Sequence, residues 1–278
     1  MKNLSIKKSF LLMMIAGMVL SSCYKKFDPK SYQPAFTFNG YTSVAEIGAG
    51  SLVGYWAFDG SYIDSISKTA GTGVGTSFTG GFKGQSFQGA DKAYVISDLP
   101  NAIKNLKSFT IDYWIKTPQN TTGILAPIVI SKDDDFWGAL DMFFENGSTA
   151  TSGNLKVHVN AQSEVWFTNG IISNPWNGWV NIALTYDAAT STFTLYQGGT
   201  EVAHQTASGL GNLVFPATAT KIIFGTEQFQ TTPSLGTAGS AQSWASYLTG
   251  QMDEVRIYNR ALTANDLQAL IVLQGKGK

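Results

Sequence analysis

Cysteine is nearly absent from this 278-residue chain, where Cys23 stands alone. No pair can close within the chain, so the fold must hold by its core without a disulfide staple. Histidine is almost as scarce, and His158 and His204, both in strand-like stretches, read as surface residues that offer neither a metal cluster nor a triad. Charge is thin at 14% of residues, with 19 basic against 19 acidic. Leaving out Lys2, Lys7 and Lys8 of a removable leader makes it 16 against 19, a net charge of about −3. Nucleic acid demands a basic face to neutralise phosphates, so that class of partner is excluded, as is charge-driven binding to anionic lipid. Long apolar runs are missing too. Phe10 to Leu20 is the longest at 11 residues, short of the roughly 20 that span a bilayer.

What is present is aromatic side chains (13%), 29 glycines and a patterned N-terminus. Lys2, Lys7 and Lys8 precede the apolar run, as in a signal peptide's basic and hydrophobic regions. Leu20-Ser21-Ser22-Cys23 follows directly and resembles a lipobox, with small residues before the cleaved bond and a thiol after it. That resemblance implies residues 1–22 as a lipoprotein signal peptide and lipidation at Cys23. Several acyl chains on one residue, each buried methylene worth about 0.8 kcal/mol, make such an anchor effectively permanent. The membrane is then met through lipid alone. Tyr24 does not resemble the acidic signal for inner-membrane retention, so the expected place is the cell envelope, at the outer membrane.

Residues 23–50 read as the lipidated cysteine and a flexible tether, broken by Pro29 and Pro34 and closed by Gly48-Ala49-Gly50. Beyond residue 50 the pattern is β. Phe109, Ile111, Tyr113 and Ile115 alternate with Thr110, Asp112, Trp114 and Lys116, and Val180 to Asp187 repeats that period before a hairpin to Phe193–Gln197. More than eight short strands separated by Gly, Asn, Asp and Pro clusters predict an all-β sandwich or barrel rather than a parallel sheet. One helix is expected near the C-terminus, with Thr263 as N-cap, Asp266 three residues on, and Leu262 and Leu267 in staple positions. The β domain is placed at 51–273 and a tail at 274–278. Gly71–Gly75 and Gly236–Gly239 read as turns.

Three stretches in order resemble the laminin-G-like, concanavalin-A-like fold: Leu52 to Gly60 with Asp64-Ser65, then Phe109 to Lys116 with Trp179 to Asp187, then Gly250 to Thr263. The resemblance implies a two-sheet antiparallel jelly-roll sandwich with one concave face and a rim of loops, a partner that is a glycan or a protein, and in several members calcium. Val180-Asn181 stands where the family has a histidine beside the strand-leading Trp179.

A sugar site needs aromatic faces and polar groups for hydroxyls. Phe136, Trp137 and Trp244 lie in polar, glycine-rich loops, and Trp114 shares a strand face with Asp112, so these five are the expected ligand contacts. Calcium takes several hard oxygens, and Asp59, Asp64 and Asp253 at strand ends are the expected ligands; Asp133-Asp134-Asp135 reads as a polar turn. A retaining glycosidase needs two carboxylates about 5 Å apart. Asp141 and Glu145 fit part of such a pattern, but Ala139 stands at the nucleophile's position. The chain thus reads as a non-catalytic carbohydrate-binding envelope lipoprotein, with a structural or adhesin-like module for envelope proteins, or a glycoside hydrolase, as the alternatives.

Overall fold

The computed structural model describes residues 35–146 and 149–278. The leader, Cys23 and the tether up to residue 34 lie outside them. Thr37–Lys278 forms one compact unit.

Its strands run in order as β1 (Leu52–Trp56), β2 (Gly71–Val74), β3 (Ser77–Gly80), β4 (Gln85–Gln88), β5 (Tyr94–Asp98), β6 (Phe109–Lys116), β7 (Leu125–Ile130) and β8 (Leu140–Phe144). They continue as β9 (Ser152–Asn160), β10 (Glu164–Ser173), β11 (Val180–Asp187), β12 (Thr192–Gln197), β13 (Thr200–Thr206), β14 (Lys221–Phe224) and β15 (Gln251–Tyr258). Helix α1 (Asn101–Lys104) is one turn, and α2 (Ala264–Gly275) closes the chain. One sheet has the order β13-β12-β11-β6-β15-β4-β3, with β1 also on β15; the other runs β10-β9-β8-β7-β14-β5-β2. Every pairing between these strands is antiparallel. The two-sheet sandwich that the family resemblance implied is therefore present, in place of the barrel that the strand pattern left open.

Alternation decides the layers. Phe109, Ile111, Tyr113 and Ile115 of β6, Ile182, Leu184 and Tyr186 of β11, and Leu140, Met142 and Phe144 of β8 point between the sheets into one core. Trp56, Phe58, Phe87 and Phe224 pack edge-on there, with centroids 5.1–5.7 Å apart. In β15 the alternation breaks at a bulge between Asp253 and Arg256, where Glu254 takes φ 54°. The extra residue puts Asp253 and Glu254 together on the outer side while Met252, Val255 and Ile257 stay in the core.

Each outer face is itself covered. On the eight-stranded sheet, Ala183, Tyr196 and Tyr258 meet Leu262, Leu267, Leu270 and Leu273 of the helical segment. The predicted capping box forms: Thr263 Oγ1 accepts from Asp266 N and Asp266 Oδ2 from Thr263 N. Ile47 is buried in the same cluster, with Phe38, Tyr41 and Val44 against it, so packed chain begins at Thr37 rather than at residue 51. Gln274 is buried too, where a tail was expected. Gly71–Val74 is edge strand β2 and not a turn. Its glycines leave room for Tyr62, whose carbonyl lies 2.6 Å from where a Cβ on Gly71 would sit.

On the seven-stranded sheet, Val129, Phe143 and Ile223 are covered by loops 131–139 and 225–250 through Phe136, Trp137, Phe229 and Leu235, with Trp244 against Phe229 at 5.2 Å. This added aromatic layer positions the site.

Candidate functional site

Strand register sets out the floor. Ile96, Ile223, Val129, Asp141, His158 and Trp166 are successive cross-strand partners on β5, β14, β7, β8, β9 and β10. They form one row that grades from apolar to polar to aromatic. In a parallel row Phe143 on β8 faces Lys156 on β9.

Two buried glutamines hold the loops over this floor. Gln228 donates through Nε2 to the carbonyls of Lys132 (3.2 Å), Asp135 (3.0 Å) and Phe136 (3.0 Å), and its Oε1 accepts from Lys132 N at 2.7 Å. Gln230 donates to Ala245 O at 2.9 Å and accepts from Gln242 N. The first fixes the loop bearing Trp137 and the second the loop bearing Trp244. Ile124 N donates to Trp244 O at 3.0 Å and Ser246 N to Ile124 O at 2.8 Å. That approach requires Gly123, which has φ 78° and would bring a Cβ to 2.5 Å from the Trp244 carbonyl. Asp133 and Asp134 accept from Thr220 and Thr218, as suits a polar turn that pins its loop.

Trp137 is the hub. Its ring stacks on Phe143 (5.6 Å, 15°) and meets Trp166 edge-on (5.5 Å, 88°) and Trp244 at 5.9 Å. Phe136 lies behind, 4.8 Å from the buried Phe229 and 6.0 Å from Trp244. Together Trp137, Phe143, Trp166, Trp244 and Ile124 wall a cleft of about 360 Å³ whose remaining lining is Glu145, Asn146 and Lys156. Lys156 and Glu145 form an ion pair there, with side chains 25% and 32% exposed. Trp244 is the most open wall at 42%. Its size falls in the range of small-molecule sites.

Beneath Trp166 lies a buried polar lattice. His158 Nδ1 is 2.8 Å from Asp141 Oδ2, and Nε2 is 3.1 Å from Glu164 Oε1, which also accepts from Trp166 Nε1 at 3.1 Å. The imidazole stacks under the Trp166 indole at 4.1 Å. His158 is fully buried, so its expected surface position is corrected. Alternation shows which residues share a face, but not that loops cover that face. His204 is exposed on β13 beside Glu201, as expected. Glu227 is also fully buried, beside Asp141. Burial, with Asp141 close by, pushes its carboxyl well above the usual range. Of the two β8-derived carboxylates, Glu145 lines the cleft, while Asp141 is buried and holds Gly138 N and His158.

The structure thus brings Trp137 and Trp244 together, with Phe136 behind them. Trp114 and Asp112 are elsewhere, on the outer face of the other sheet. Trp114 is 8% exposed, roofed by Phe82 at 3.6 Å, and donates to Gln274. Asp112 is fully buried, accepts from Asn181 at 2.9 Å, and is pushed up to about 7 by burial. Sequence reading missed Trp166, Phe143, Lys156 and His158 as site residues. The available signal was their shared parity on adjacent strands.

The three aspartates expected to hold calcium do not form one cluster. Among the described residues no group of three acidic, histidine or cysteine side chains is arranged for a metal. Asp64 is engaged in its own turn, accepting from Tyr55 N, Ile66 N and Ser67 N at 2.8–3.1 Å. Asp59 accepts from Gln85 N at 2.6 Å and Asp253 from Lys83 N at 2.9 Å, so one turn ties both carboxylates. Asp253 is buried, its Oδ1 has no partner, and burial, with Glu254 and Asp59 nearby, pushes it up to about 7.

Several solved structures share this architecture. Domain 4 of AbnA, a GH43 extracellular arabinanase from Geobacillus stearothermophilus solved in complex with arabinotriose, aligns with a TM-score of 0.56 at 19% identity, over 80% of this chain and 98% of that one. The binding domain of Paraclostridial Mosquitocidal Protein 1 gives 0.57 at 18% over 80% of this chain. The binding domain of Botulinum Neurotoxin DC, in complex with SialylT, gives 0.57 at 14% over 81%. The chain spans about half the length of the two toxin structures, 52% of each. At these identities the likeness is one of fold. A sequence comparison with curated proteins found no match. Residues 88–268 match the laminin G model of the concanavalin A-like lectin/glucanases superfamily, and with a match over most of its length this chain belongs to that superfamily.

Proposed function

We propose that this chain is a non-catalytic carbohydrate-binding protein whose ligand lies in the cleft of Trp137, Phe143, Trp166 and Trp244, and that lipid on Cys23 holds it at the cell envelope. The observation that carries the reading is the pairing of indole faces with Glu145, Asn146 and Lys156 around one open cleft. Sugar rings present C–H faces to aromatic planes and hydroxyls to charged and amide groups. The superfamily and the arabinotriose complex of one structural relative support the class of ligand.

A glycan array followed by titration calorimetry tests it. Binding to at least one polysaccharide is expected, weakened at least tenfold, about 1.4 kcal/mol, by Trp137→Ala and by Trp166→Ala. Binding that neither change alters places the ligand elsewhere. The anchor is tested separately by mass spectrometry of the mature N-terminus, which should carry acyl chains on Cys23 and lose them in Cys23→Ser.

A second proposal concerns a structural divalent cation at Asp59 and Asp253, favoured by the unpartnered Asp253 Oδ1. Calcium should raise the melting temperature of the wild type and leave that of Asp253→Asn unchanged; equal shifts in both rule out that location.

A further inference from the structure

The aromatic cleft does not end at its charged pair. Glu145, Asn146 and Lys156 also line a second depression of about 410 Å³, whose other walls are Thr149, Ser152, Asn154 and the exposed Ile171. The two depressions therefore adjoin at these three residues on the outer face of β8 and β9, one walled by indoles and one by hydroxyls and an amide. Asn154 Nδ2, at the exposed end of the side chain, donates to Thr168 O at 3.0 Å, while Oδ1 is shielded from solvent.

Resting on the glycan reading above, we propose that this groove binds an internal stretch of a linear, neutral polysaccharide, stacking sugar rings at the indole end and reading hydroxyls at the Asn154 end. The joint between the two parts is the Lys156–Glu145 pair. The ammonium donates to one hydroxyl while the carboxylate accepts from its neighbour, which suits the 2,3-diol that each unit of a 1,4-linked pyranose chain repeats. The same pair rejects charge. A sugar carboxylate drawn to Lys156 meets Glu145, and Glu164 lies at the indole end, bonded to Trp166 Nε1. A pocket for a chain terminus is closed on one side. Here the indole part instead continues into the polar part, so affinity depends on how many units cross the joint.

Calorimetry on the full chain with ladders of two to six units of arabino-, xylo-, manno- and β-gluco-oligosaccharides, plus oligogalacturonates, tests this. In whichever neutral ladder binds, affinity is expected to climb at least tenfold from two units to five, and oligogalacturonates are expected to bind at least tenfold more weakly than that ladder. Asn154→Ala should flatten the climb, while Trp137→Ala should lower the whole curve. Full affinity already at two units, or preference for the uronate ladder, overturns the groove and leaves the cleft standing. Failure of every neutral ladder, with Trp137-dependent binding only to a branched or terminal sugar, also overturns it. Silence on all ladders and on the glycan array removes the glycan reading and this inference with it.

Discussion

Glu227 and Asp141 show most plainly how single residues in this molecule respond to their surroundings. Glu227 is fully buried beside Asp141. An ionised group there is costly, so its proton is held far above the pH at which an unfolded glutamate, near 4.3, releases it. The sign follows from linkage. Below about pH 4 both states carry the proton. Above it the unfolded chain ionises and the folded one does not, so stability falls as pH rises toward the folded value. Asp112 and Asp253, both pushed up to about 7 by burial, act in the same direction between pH 4 and 7. Urea midpoints should therefore be lower at pH 8 than at pH 5, and Glu227→Gln should narrow that gap. An unchanged gap means that Glu227 is ionised in the folded protein. At this scale Trp137 and Trp244 were legible in the sequence because an indole in a polar loop has no strand face to hide in. Trp166 and His158 were not, because strand parity does not say which face a loop will roof.

Among the elements, α2 and the loop layer need different explanations. Helix α2 is specified locally. Thr263 and Asp266 cap it, and Tyr41 Oη donates to Asp266 Oδ1 at 2.6 Å from the N-terminal segment. Burial opposes charge on Asp266, yet the bonds from Tyr41 and Thr263, with Arg260 nearby, outweigh it and hold the carboxyl below its usual range. Thr263→Ala should cost about 1 kcal/mol of unfolding free energy, read by urea denaturation, and Tyr41→Phe a similar amount for its lost bond to a charged group. If Tyr41→Phe has no effect, residues 37–50 do not pack on the helix in solution. The loop layer is specified from a distance, by Gln228, Gln230 and Gly123 acting on chain far from them in sequence. Gly123→Ala, with its strained φ and a carbonyl in the way, should lower the melting temperature and weaken glycan affinity together. The capped helix and the alternating strands β6, β11 and β15 could be read directly, since their signals lie within about ten residues. The glycine-rich β2 could not, since it has no periodic apolar face. Neither could the packed 37–50 segment, whose Phe38, Tyr41, Val44 and Ile47 recur every third residue, a spacing of neither strand nor α-helix.

For the whole molecule, two sheets close one core, and each outer face then acquires its own cover: a helix on one side and aromatic loops on the other. On the proposed function, that division separates stability from recognition. The helix side buries Trp114 and Asp112, while the loop side leaves its indoles partly open around the cleft. The seven tryptophans make the division measurable, because each indole N–H gives its own proton–nitrogen resonance. The decisive measurement is a titration of those resonances with an oligosaccharide that binds. Signals from Trp137, Trp166 and Trp244 should shift in step with occupancy while those of Trp56 and Trp114 hold still. Shifts confined to Trp114 and Trp179, with the three cleft indoles unmoved, contradict the account.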